Sequence, residues 1–192
     1  MRKMLIAMFA AAFAVNAVAG DCFWIWGAAS VAPGRSFSYF RLPVELDDDV
    51  LTAELFSIAD DAMELYINGG GAVKQVFMDQ AEKRIRIRRY EFKSQLKKGK
   101  NILAVVVVNQ GGPGGVIMKG AIRLANGKTV DLASNGQWKA VCAPQFKTNA
   151  WKMPAFDDAA WKRAFQLGDA GMKPWANMSD AVNFFGLPGG KK

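Results

Sequence analysis

The stretch Lys100-Asn101-Ile102-Leu103-Ala104-Val105-Val106-Val107-Val108-Asn109 carries an unbroken aliphatic run from Ile102 to Val108. A half-buried strand alternates apolar with polar residues, so a run with no polar member predicts a central strand covered on both faces. Upstream, Leu51, Ala53, Leu55 and Ser57 alternate with Thr52, Glu54, Phe56 and Ile58, and Met63, Leu65 and Ile67 alternate with Glu64 and Tyr66. These read as two strands joined at a tight acidic turn, Asp60-Asp61. Asn68-Gly69-Gly70-Gly71 stops the second strand with residues that tolerate positive φ. Arg84, Arg86 and Arg88 alternate with Ile85 and Ile87, which predicts a third strand with one cationic face, and Tyr90 to Leu96 reads as a loop with a helical turn.

Downstream, Gly111-Gly112-Pro113-Gly114-Gly115 is a loop, followed by strand candidates Val116–Leu124 and Thr129–Ser134 around Asn126-Gly127. A two-residue turn there would mix apolar and polar residues across the ladder. Pairing Leu124 with Val130, Ile122 with Leu132 and Arg123 with Asp131 keeps the faces consistent, so a three- or five-residue connection is expected. Six to nine short strands with Gly-rich turns, almost no helical periodicity and no internal repeat define an all-β chain, a jelly-roll β-sandwich.

The 192 residues allow one domain of ordinary size. The chain has no histidine and two cysteines, which excludes a Ser/His/Asp triad, a Cys/His dyad, an HExxH helix and a four-ligand zinc site. Any chemistry would run on carboxylates, lysines or tyrosines. Residues 1–19 read as an export signal: Arg2 and Lys3, an apolar run from Leu5 to Ala14, then Ala17-Val18-Ala19 before Gly20. No segment reaches the roughly 20 apolar residues of a membrane-spanning helix, so the expected product is not membrane-spanning and is periplasmic or extracellular. In an oxidising compartment Cys22 and Cys142 are expected to form a disulfide, the alternative being two buried thiols. The domain is expected over 20–180, with 181–192 as a flexible tail.

Each chemistry-bearing motif has a plain structural reading beside the functional one. Asp60/Asp61 and Asp157/Asp158 are sequence neighbours, expected to point apart as turn formers or caps; glycoside hydrolysis needs two carboxyls about 5 to 10 Å apart across a bond. Asp47-Asp48-Asp49 is either a structural calcium site or a solvated loop. Gly127-Lys128-Thr129 mimics the end of a phosphate loop, yet Ile122 stands where the cradle needs glycine. The stripe of Arg84, Arg86 and Arg88, with Lys83, Arg89 and Lys93 nearby, is either a polyanion surface, for polysaccharide more than nucleic acid, or the wet face of an amphipathic strand.

The order of motifs also resembles a family. Trp24-Ile25-Trp26, Tyr39-Phe40-Arg41-Leu42-Pro43, Glu64-Leu65-Tyr66-Ile67-Asn68-Gly69, Leu96 to Val105, Gly112 to Gly115, Trp138-Lys139, Phe156 to Trp161 and Pro174-Trp175 look like the N-terminal sandwich of bacterial alpha-L-rhamnosidases. Similar modules open beta-galactosidases and beta-glucuronidases. The resemblance implies a galactose-binding-like jelly roll used for carbohydrate attachment beside catalytic barrels, without the catalytic carboxylates. It implies a non-catalytic accessory module binding a rhamnose- or galactose-containing glycan and needing no cofactor beyond a structural calcium. It also implies a sugar-facing rim drawn from Trp26, Arg41, Asp61, Tyr66, Asn68, Asn109 and Trp175, while Trp24, Trp138 and Trp161 hold the sandwich together. The other classes are an envelope adhesion domain binding a protein partner and a glycosidase working with carboxylates alone.

Overall fold

A computed structural model describes residues 21–76, 78–79, 84–85 and 87–186. The expected signal segment 1–19 and residues 187–192 lie outside the described residues. The strands in chain order are β1 (Trp24–Trp26), β2 (Ser36–Leu46), β3 (Val50–Asp60), β4 (Ala62–Ile67), β5 (Gly70–Val76), β6 (Met78–Asp79) and β7 (Arg84–Ile85). Then come β8 (Arg88–Glu91), β9 (Gly99–Asn109), β10 (Gly115–Leu124), β11 (Thr129–Asp131), β12 (Lys139–Cys142), β13 (Lys162–Arg163) and β14 (Phe165–Gly168). A short helix, α1 (Ser179–Phe185), closes the described chain. One sheet runs β14-β1-β10-β3-β8 with β11 also on β10, the other runs β13-β12-β2-β9-β4-β5, and β6 pairs with β7. The two six-stranded antiparallel sheets form a jelly-roll sandwich.

The aliphatic run lies in β9, between β2 and β4. Leu103, Val105 and Val107 face the core between the sheets, where they meet Phe40, Leu42, Met63 and Leu65. Ala104 and Val106 face outward into a second cluster with Tyr39, Tyr66 and Trp151. Both faces are therefore covered, which is why no polar residue interrupts the run. The outer face of the other sheet is covered too: Trp24, Ile58 and Ile117 pack against Ala170, Trp175, Ala181 and Phe185 from the C-terminal segment. With each large apolar side chain stabilising the fold by about 1.5–3 kcal/mol when fully buried, these two flanking layers are part of the fold and not ornaments on it. Ala181 and Phe185 form the apolar face by which α1 docks onto the sheet.

Other expectations also change. β3 and β4 are both present, but Asp60-Asp61 carries the chain from one sheet to the other and does not close a hairpin. The arginine stripe is not one strand: Arg84 belongs to β7, Arg88 opens β8 against Ser57 of β3, and Arg86 and Lys83 lie outside the described residues. The connection after β10 has three residues, Ala125 to Gly127, as Leu124 N donates to Lys128 O at 2.9 Å. The pairing, however, is Ile122 with Val130 and Arg123 with Thr129, two residues from the expected register. Leu132 reaches the core just beyond the ladder, its N–H bonded to Gly120 O at 3.0 Å.

The expected Cys22–Cys142 bridge is absent, both thiols being free. Cys22 packs in the cluster under α1 and its Sγ donates to Phe185 O at 3.0 Å. Cys142 is exposed at the end of β12 in the opposite sheet. The sandwich itself separates them.

Candidate functional site

The seven residues expected at one sugar-facing rim do not share a surface. Trp26 is only 1% exposed and belongs to the inter-sheet core. Arg41 is 2% exposed: its Nε donates to Asp158 Oδ2 at 2.7 Å, and its guanidinium also donates to the carbonyls of Trp151, Met153 and Phe156 while lying over the Phe156 ring. It is the anchor that ties the covering segment to the outer face of the sheet. Tyr66 lies under the same segment, its hydroxyl donating to Glu64 and the Lys152 ammonium 3.6 Å from its ring centroid. These three cannot meet a sugar without dismantling the packing around them.

Asp61, Asn109 and Trp175 do converge, at the end of the sandwich where β3 passes to β4. Asp61 accepts from Gln110 N at 2.7 Å, and Asn109 shapes the Gly-rich loop by accepting from Gly111 N and donating to Gly112 O. Trp175, 4% exposed, stacks on Trp24 with ring centroids 3.9 Å apart and donates Nε1–H to Asp60 at 2.9 Å. Gly115 lies beneath this stack, where a Cβ would come within 3.2 Å of both tryptophan rings. Burial pushes the Asp60 carboxyl up to about 6, against the Trp175 hydrogen bond, and the charge of Asp61 adds to the rise. Asp60 accepts from Trp175 Nε1 and Asp61 from Gln110 N, so each carboxyl is engaged in a structural hydrogen bond. A pair tied in this way to Trp175 and Gln110 serves the turn between the two sheets. In the other pair Asp157 caps Ala159 N as expected, while Asp158 is a partly buried counterion for Arg41 and Lys139.

Asn68 lies at the opposite end of β4, roughly 20 Å along the strand at 3.3 Å per residue. Asn68 (φ 53) and Gly69 (φ 83) turn β4 into β5. The Asn68 amide donates to Gln95 O and Asn101 Oδ1, both at 2.9 Å, and its oxygen accepts from Ile102 N. Asn101, buried, accepts from Lys97 N and donates to the carbonyls of Lys97 and Gly99. This asparagine pair clamps the single 3-10 turn Lys93–Gln95 and the loop after it into a fixed ridge. Neither asparagine has spare amide protons for a ligand; both position the ridge.

The ridge divides two clefts. One, of about 240 Å³, opens between the sheets where β8 faces β4 and β5. Its apolar wall is Leu65, Ile67, Tyr90 and Phe92, and its polar groups are Arg89, Glu91 and Gln95. Arg89 is held by Glu54 and Glu91, each within 3 Å, so its remaining N–H groups and the Gln95 amide present donors and acceptors beside an aromatic side chain. That combination suits a small polyhydroxylated ring. The second cleft, about 400 Å³, is lined by Lys93, Leu96, Lys97 and Lys98 from the ridge and by Asp48, Asp49 and Val50 from the turn into β3.

The aspartate triplet does not converge as calcium ligation requires. Asp47 is taken by Lys128 and Asn126, and Asp48 accepts from Asp49 N. Among the described residues no group of three His, Cys, Asp or Glu side chains is placed to hold a metal, and no helix is long and apolar enough to cross a membrane. Sequence reasoning missed Gln95, Asn101 and Phe92 as site residues; the signal for Phe92 and Gln95 was the helical turn expected between Tyr90 and Leu96, and Asn101 stood within the Leu96–Val105 stretch of the resemblance.

The two antiparallel sheets define an all-β jelly-roll domain, and the comparisons make its homology specific. No protein-family model matches the chain. It is 27% identical over 165 residues to an alpha-L-rhamnosidase of Streptomyces avermitilis, covering 83% of this chain and 16% of the enzyme. The structure of that enzyme complexed with L-rhamnose superposes with a TM-score of 0.67. A GH78 family rhamnosidase of Bacillus sp. GL1 gives 0.65 at 26% identity, covering 82% of this chain and 19% of that one. A Pleurotus ostreatus lectin, in complex with GalNAc, gives 0.64 at 25% identity, covering 80% of this chain and 44% of the lectin. The chain is homologous to a segment of these rhamnosidases and lectins and spans about a sixth of the Streptomyces enzyme's length.

Proposed function

We propose that the protein is an exported, periplasmic or extracellular, non-catalytic carbohydrate-binding module of the accessory type found beside glycoside hydrolases. In this reading it takes a rhamnose- or galactose-containing glycan in the inter-sheet cleft. The observation that carries the reading is homology over four-fifths of the chain to both a rhamnosidase segment and a GalNAc-complexed lectin. The cleft supports it chemically: Tyr90 and the aliphatic wall offer an apolar surface to C–H groups, while Arg89, Glu91 and Gln95 offer hydrogen-bond partners to hydroxyls. The carboxylate pairs serve structure in this reading: Asp60 and Asp61 hold Trp175 and Gln110, Asp157 caps Ala159 N, and Asp158 pairs with Arg41 and Lys139.

The test is a glycan array with the purified protein, followed by titration of the best neutral ligand against Arg89→Ala and Gln95→Ala. Both side chains are exposed at the cleft mouth, so the variants should fold, and each is expected to weaken binding about fivefold for one lost hydrogen bond. Silence across the array from folded protein would redirect the search to an envelope protein partner.

A further inference from the structure

The second cleft has a chemistry different from the first. Lys93, Lys97 and Lys98 line it, and within 4 Å none of them forms an ion pair with a carboxylate among the described residues. Asp48 and Asp49 stand in the same cleft without neutralising them. Between the two walls lie Val50 and Leu96, each partly buried against the main core, so that their outward surface forms an apolar floor. The backbone that carries Lys97 and Lys98 is fixed in place, because the Asn68–Asn101 clamp holds it from Gln95 to Gly99.

We infer that this cleft is a subsite for a uronic-acid residue of an acidic glycan, its carboxylate on the Lys93/Lys97/Lys98 wall and its hydroxyls donating to Asp48 and Asp49. The ring would lie on Val50 and Leu96. The aspartates decide the ligand class. A polyphosphate, a sulfated chain or a nucleic-acid backbone brings dense negative charge and no compensating donors, and it would meet two carboxylates on the opposite wall. A uronate carries one carboxylate and several hydroxyl donors, and so satisfies both walls at once. The inference rests on the carbohydrate-binding reading but places the acidic unit across the ridge from the neutral one, as two neighbouring residues of a single chain would require.

The experiment compares a tetragalacturonate with its fully methyl-esterified form, which keeps the rings and removes the charge, by calorimetric titration in low salt and in 0.15 M salt. The acid is expected to bind about tenfold more tightly than the ester at low salt, and less so as salt screens it. Replacing all three lysines (K93A/K97A/K98A) should abolish that preference while leaving the neutral glycan's affinity unchanged. Asp49→Ala gives the decisive sign: a built uronate subsite loses affinity for the acid, whereas a mere field of positive charge gains it. Equal binding of acid and ester, or tighter acid binding by Asp49→Ala, overturns the inference even if neutral glycans bind well. If neutral binding fails while the acid preference and its lysine dependence hold, the inference stands and the neutral-sugar reading of the first cleft falls.

Discussion

Arg41→Met removes the charge and hydrogen bonds of the most deeply buried cation described while roughly preserving its volume. The wild-type guanidinium bonds to Asp158 at 2.7 Å and to three carbonyls of the covering segment. Removing one partner of a buried ion pair typically costs about 3–5 kcal/mol. Here Lys139 still reaches Asp158 Oδ1 at 2.6 Å and can rescue the carboxylate in part, so the expected loss is at the lower end, about 3 kcal/mol. Urea denaturation reads it as a lower midpoint. Amide exchange should accelerate first over 146–161, because Phe146, Trp151 and Phe156 lose the anchor that presses them on Tyr39 and Tyr66. The pH dependence has a sign. Burial alone would raise the Asp158 carboxyl, but hydrogen bonds and charge from Arg41 and Lys139 outweigh it and hold it below the usual carboxylate range. The stabilisation is thus present above the unfolded carboxylate's pKa and is lost as pH falls below it, so wild type and variant should converge in acid. A loss under about 1 kcal/mol at pH 7, with unchanged exchange over 146–161, would refute the anchoring role.

Asp60→Asn keeps an acceptor for Trp175 Nε1 but removes a half-buried charge beside Asp61. Asp60 is raised, so wild type loses stability as pH rises through about 6; the variant should be more stable at pH 8 by roughly 1 kcal/mol, after allowing for partial solvation, and equal to wild type below pH 4, read from thermal melts. Gly120→Ala should be severe: a Cβ there meets the Glu54 carbonyl and lies 2.8 Å from Leu55 Cα, both β3 backbone in the centre of a sheet, and about 3 kcal/mol or complete misfolding is expected in the same melts. Thiol labelling of native protein should modify the exposed Cys142 first. Cys22, buried and pushed up to about 11 by that burial, should react only on unfolding.

The sequence spoke clearly wherever one physical effect dominated. The unbroken run Ile102–Val108 predicted a strand covered on both faces, and alternation located β3 and β4 as strands. β2 gave no comparable signal, because Arg41 and Pro43 interrupt its apolar positions. Arg41 is buried by partners more than a hundred residues away, and Pro43 is tolerated because β12 pairs with β2 only over Ser38–Arg41, so no ladder hydrogen bond needs its missing N–H. The Asp60-Asp61 turn reads the same whether the next strand pairs beside the last or crosses to the other sheet; only packing decides. The site suffered for a related reason. Trp175 and Tyr66 have the composition of sugar-stacking residues, yet each spends its polar atom on a carboxylate of its own chain and its ring on a neighbouring aromatic. Asn68 was found, but as the clamp of a ridge and not as a ligand contact, since the register that brings Asn101 and Gln95 to it is invisible in a linear sequence.

In the proposed function the inter-sheet cleft beside Arg89 and Gln95 binds a neutral sugar. The most direct measurement is an amide and side-chain NMR titration of the protein with the best rhamnose- or galactose-containing glycan from the array. The account predicts saturable shifts confined to Arg89–Gln95 and the β4 residues Leu65 and Ile67, with little change at Gln110–Gly115. Saturable shifts centred on Asp61, Gln110 and Trp175 instead, or none anywhere at millimolar glycan, would contradict it.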